Sequence, residues 1–79
     1  MNARKYRYGA EYDPAALRLA MEQRGISVNE MAILCAVARG AVKSWLDPEP
    51  GRRMHWMTMN RIRAALELSE AEVRGIWKV

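Results

Sequence analysis

Two capping boxes constrain this chain more than any other feature. Ser27-Val28-Asn29-Glu30 and Ser69-Glu70-Ala71-Glu72 each place a serine three residues ahead of a glutamate. In that arrangement the serine hydroxyl accepts from the backbone at a helix start, and the glutamate reaches back to the serine N–H. A further start signal precedes both: Asp13 suits an N-cap and Pro14 the first helical position. In a chain of 79 residues these signals leave room for short helices around one core and no second domain.

Apolar spacing fills in the helices. Leu17, Ala20, Met21 and the stem of Arg24 follow Asp13 at helical intervals, and Gly25 suits the left-handed residue that ends a helix. A second helix is predicted over about 27–35, with Val28, Met31, Ala32 and Cys35 inward. A third spans about 38–46, with Val42, Trp45 and Leu46 apolar and Arg39, Lys43 and Ser44 on other faces. Asp47-Pro48 closes it, because the residue before proline avoids the helical region, and Glu49-Pro50-Gly51 reads as a turn. A fourth helix runs from about Trp56 to Leu66 on Met59, Ile62, Ala65 and Leu66; a fifth starts at Ser69 and buries Val73, Ile76 and Trp77. Tyr6-Arg7-Tyr8 alternates like a strand but is too short to stand alone, and Gly9 breaks any helix. The expected architecture is all-α, with residues 1–12 a basic arm and 13–79 the domain.

The net charge is +4, and its placement matters more than its size. Arg4, Lys5 and Arg7 precede the first acidic residue, Glu11; Arg39, Lys43, Arg52, Arg53, Arg61 and Arg63 follow, opposed in that stretch by Asp47 and Glu49. Such patches favour polyanionic partners. Other classes find little support. Cys35 is the only cysteine and His55 the only histidine, so neither an internal disulfide nor an ordinary structural zinc site is expected. No Gly-rich phosphate loop, ~20-residue apolar run or signal peptide is evident. No nucleophile–base set or carboxylate pair stands out. A cytoplasmic binding protein is expected, with no cofactor, metal, small-molecule ligand or membrane partner. Among individual residues, Cys35 reads as a small buried hydrophobe and His55 as a helix-start or surface residue. Arg61 and Arg63 suit the solvated face of the fourth helix. Tyr6, Tyr8 and Tyr12 either pack on the domain or stack on bases, and Trp77 is either core or a dimer contact.

Residues 27–46 carry the functional signal. Two closely crossing helices need a small residue at their contact, which Ala32 supplies, and a tight turn wants another, which Ala36 supplies. Met31, Cys35, Val37, Val42 and Trp45 then tie both helices to a core. These are the requirements of a helix-turn-helix, whose first helix crosses the DNA backbone while the second enters the major groove. The run Gly25-Ile26-Ser27-Val28-Asn29-Glu30-Met31-Ala32, followed by Val37-Ala38-Arg39-Gly40-Ala41-Val42-Lys43-Ser44-Trp45, resembles the lambda-repressor/Cro-like helix-turn-helix family. The resemblance extends from about Asp13 to Trp77 and includes Ala64-Ala65-Leu66-Glu67-Leu68-Ser69.

That resemblance implies a five-helix DNA-binding domain and a transcriptional regulator, a repressor of phage, plasmid or bacterial origin, that binds a palindromic operator as a homodimer. It places Arg39, Gly40, Ala41, Lys43 and Ser44 toward the bases. Arg39 can grip guanine bidentately, Lys43 can do so less rigidly, Ser44 can meet a base or phosphate, and Ala41 can touch a thymine methyl. Asn29, Arg52 and Arg53 fall where family members hold the DNA backbone, and Arg4, Lys5 and Arg7 suit a minor-groove arm. The chain departs from the family at several points. Val28 replaces a common glutamine, Ala36 a common turn glycine, Ala38 a common Ser or Thr cap, and Met21 with Leu46 a common Arg–Glu pair. Ala36 and Ala38 should each cost about 1 kcal/mol, whereas replacing both members of an ion pair by apolar residues is often neutral. The alternative is a protein-interaction module, antitoxin-like or polymerase-binding, in which Val28, Gly40 and Ala41 reflect lost base reading.

Overall fold

The computed structural model describes residues 9–49 and 52–78. Arg4, Lys5, Tyr6, Arg7, Tyr8 and the Pro50-Gly51 part of the predicted turn lie outside them. The element order is β1 (Ala10–Glu11), α1 (Pro14–Gln23), α2 (Val28–Cys35), α3 (Arg39–Trp45), β2 (Arg53–Met54), α4 (Trp56–Leu66) and α5 (Glu70–Ile76).

Each helix begins where its cap stands. The Asp13 side chain accepts from Ala15 N–H ahead of α1. Both capping boxes are complete. Ser27 Oγ accepts from Glu30 N–H while Glu30 accepts from Ser27 N–H, and Ser69 and Glu72 repeat the exchange at α5. His55 heads α4, where its Nδ1 accepts from Met57 N–H at 3.1 Å. Gly25 follows α1 with φ of 65°, the left-handed conformation anticipated there.

Two expectations need correction. The architecture is mostly helical but not all-α, because β1 and β2 pair antiparallel with Ala10 opposite Met54 and Glu11 opposite Arg53. Residues 10–12 also do not belong to an arm outside the domain. Ala10 and Tyr12 are 3% and 5% exposed and sit in the core. The segment is held on both sides: Tyr12 N–H donates to Arg52 O at 3.0 Å, while Asp13 N–H donates to Ile76 O and Lys78 N–H to Glu11 O. Tyr12 also bridges Trp77 in antiparallel fashion. Backbone polar groups that enter a core must be paired, and these contacts pair them. At Gly9, φ is 110° and a Cβ would fall 1.7 Å from Met54 O, so the strand can approach this closely only without a side chain.

The core draws on every helix: Leu17, Ala20 and Met21 from α1, Met31, Ala32 and Cys35 from α2, Val42 from α3, Met59, Ile62 and Leu66 from α4, and Ile76 from α5. Leu46, Met54 and Trp77 complete it. Met21 and Leu46 are both buried. Among the described residues, Arg24, which caps the C-terminal end of α1, pairs with Glu72 of α5 at 2.7 Å between Nη2 and Oε1. Trp77 is 1% exposed. Its side chain is therefore a core anchor, and of its two expected roles only packing is compatible with this burial.

Candidate nucleic-acid interface

Helices α2 and α3 pack against each other, and α2 also packs on α4. The link between α2 and α3 is tight because Ala36 is left-handed, with φ 57° and ψ 47°. Ala36 N–H donates to Ile33 O and Val37 N–H to Ala32 O, which turns the chain directly into α3. A Cβ in this conformation costs roughly 1–2 kcal/mol. Ala38 then caps α3 without a side-chain hydrogen bond. Replacing Ala38 by serine is therefore expected to raise the unfolding free energy by about 1 kcal/mol. Chemical denaturation would show this as a higher midpoint at unchanged slope. A lower midpoint would mean the hydroxyl does not reach the helix N–H groups.

The buried side of α3 is Val42, with Ala41 and Trp45 half-buried. Arg39, Gly40, Lys43 and Ser44 are exposed, so four of the five predicted base-facing residues lie open to solvent, with Ala41 partly covered beside them. Neither Arg39 nor Lys43 forms an ion pair among the described residues. A Cβ at Gly40 would meet nothing within 4 Å, so nothing inside the domain requires a glycine there.

Two of the predicted backbone-gripping residues, Asn29 and Arg52, are brought to this same surface. Asn29, exposed near the start of α2, accepts from Arg39 Nη1 at 3.4 Å. Arg52 Nη2 donates to Ser44 Oγ at 3.0 Å. Arg52 also lies 3.8 Å from Glu49 Oε2, an ion pair with a largely exposed acid that is worth little. A guanidinium carries five N–H donors, so these contacts leave Arg52 donors to spare. Arg53 is exposed and donates to Gly9 O at 3.3 Å, across the strand pair. Arg4, Lys5 and Arg7 lie outside the described residues.

Tyr12 packs on the domain, one of its two expected roles, and adds a contact that the sequence did not reveal. Its hydroxyl donates to Trp45 O at 2.7 Å, joining the strand segment to the C-terminal end of α3. Burial raises the Tyr12 pKa, against a smaller opposing effect of Arg52, so the phenol keeps the proton this bond needs. The alternation of Ala10, Glu11 and Tyr12 was the available signal, but three residues are too few to separate strand from coil. Cys35 behaves as expected of a core residue: it is 2% exposed, and burial pushes its thiol pKa up, with nearby Arg61 opposing. No described helix is long and apolar enough to cross a membrane. The chain matches no family model, and no curated protein or solved structure matches it.

Proposed function

We propose that this protein binds double-stranded DNA through a helix-turn-helix of the lambda-repressor/Cro-like type, with α3 entering the major groove. The observation that supports this most is the cationic surface of α3: exposed Arg39 and Lys43 have no acidic partner among the described residues, and Asn29 and Arg52 flank them through hydrogen bonds to Arg39 and Ser44. Arg39 is the leading base reader, with Lys43, Ser44, Gly40 and Ala41 beside it, while Asn29, Arg52 and Arg53 hold phosphates. Acting as a homodimeric transcriptional repressor, the protein would place two copies of α3 in successive major grooves, which requires a palindrome with half-sites about 34 Å apart.

Selection from random duplex DNA at physiological salt tests the reading, and a recovered palindrome is the expected result. Affinity for that site should fall steeply with salt, since each neutralised phosphate releases counterions. Arg39→Ala should weaken it by about 1–3 kcal/mol and relax preference at one base pair. Equal loss on every sequence would make Arg39 a phosphate contact, and the absence of any enriched motif would overturn base-specific recognition.

The second reading, a protein-interaction module, is favoured by one observation. Ile33 and Leu34 are adjacent on α2 and 79% and 52% exposed, which binding DNA through α3 does not explain.

A further inference from the structure

An open groove of about 660 Å³ lies where α2 turns into α3. Its apolar lining comes from Ala32, Ile33, Ala36, Val37 and Ala38; its polar lining is Asn29 and Arg39. Single exposed apolar residues are ordinary, but a contiguous set around a concavity marks an interaction surface. Ile33 is the most exposed large apolar side chain of the described residues, and nothing in the core uses it.

Charge indicates what the groove can take. Its only charged lining group is the Arg39 guanidinium. The nearest acid along α2 is Glu30, whose Oε1 is engaged by Ser27 N–H in the capping box. The occupant should therefore pair apolar side chains with carboxylates. The chain's own N-terminal segment is a poor match, since Arg4, Lys5 and Arg7 precede any acid. A bare phosphate backbone would satisfy Arg39 but leave the apolar lining against a polar, charged strand.

We infer that this groove docks an acidic segment of a second protein, which seats apolar side chains on Ile33, Val37 and Ala36 and a carboxylate on Arg39. Docking and DNA compete, because both use Arg39. The competition rests on the proposed DNA reading; the docking does not. A partner that occupied the groove would release the protein from its operator without any ligand pocket in the core.

The test uses the full chain and a displayed library of random dodecapeptides. Peptides rich in Asp or Glu together with Leu, Ile or Phe should be enriched. Synthesised singly, they should lose affinity by about tenfold or more on both Ile33→Ser and Arg39→Ala. Ile33 is exposed, so Ile33→Ser should keep its thermal unfolding midpoint, and it should keep its affinity for any selected DNA site. That site, added at saturation, should displace the peptide. No enrichment, or enriched peptides indifferent to both substitutions, would overturn the docking. Self-association of the chain that Ile33→Ser abolishes would also overturn it, by making a second copy the occupant. If peptides bind as described and no duplex competes, docking stands and the DNA reading fails.

Discussion

Replacing Trp77 by alanine is expected to lower the unfolding free energy by about 3–5 kcal/mol. Trp77 is the largest of the fully buried side chains, and its removal would leave a void where the strand segment, α5 and the core meet. A domain of this size commonly has on the order of 5–10 kcal/mol in total, so the variant would lose a large share of its stability. Thermal unfolding followed by circular dichroism would show a midpoint lower by about 15 °C or more. One detail separates packing from polarity. Trp77 Nε1 is buried without a hydrogen-bond partner among the described residues, an arrangement that costs about 1–3 kcal/mol. Trp77→Phe should be much milder than Trp77→Ala, because it removes the unpaired donor while keeping most of the buried ring. Equal losses in the two variants would show that a phenyl ring at this position recovers none of the core packing.

The second large effect is expected at Arg24. Its guanidinium ties three elements together. Nε donates to Leu66 O at 2.7 Å at the end of α4, Nη1 to Ala20 O within α1, and both terminal nitrogens to the Glu72 carboxylate on α5 at 2.9 and 2.7 Å. Bidentate, charge-assisted bonds are the stronger kind, and the Arg24 side chain is only a quarter exposed. Arg24→Ala should destabilise the domain by about 2–3 kcal/mol, read as a lower denaturation midpoint. The same pair sets an acid dependence. Arg24, with help from Ser69 N–H, lowers the Glu72 pKa from 4.5 to about 2. A carboxylate lowered on folding stabilises the protein above its unfolded pKa, and that contribution is lost as pH falls from about 4.5 toward 2. Arg24→Ala should therefore flatten the stability profile over this window. The remaining slope would come from the capping-box carboxylates, Glu72 with Ser69 and Glu30 with Ser27. An unchanged profile would mean the ion pair does not persist in solution.

Much of the molecule is legible in short stretches of sequence. Asp13, Ser27 and Ser69 announce their helices because a cap is a contact within four residues, and the chain needs no distant partner to make it. The inward faces of α1, α2 and α4 follow from helical periodicity for the same reason. Ala36 was identifiable as the turn between α2 and α3, and it takes the left-handed conformation despite its Cβ. The exposed row Arg39, Gly40, Lys43 and Ser44 follows once Val42 is recognised as the buried side of α3.

What escaped is what depends on residues far apart in the chain. Ala10–Tyr12 carries little strand signal of its own, and becomes a strand because Arg52–Met54 and Ile76–Lys78 supply backbone partners on either side. Arg24 and Glu72, 48 residues apart, looked like a helix-end residue and a cap; folding makes them an interhelical clamp. Tyr12 reaches the end of α3 across a separation of 33 residues. Periodicity and capping report a residue's immediate neighbours, whereas pairing, clamping and the apolar groove beside Arg39 arise when separate segments meet around one core. Local signals thus settled where the helices begin and which faces turn inward, while chain closure settled that the first strand is structural and that the cations of α3 lie beside an open apolar groove.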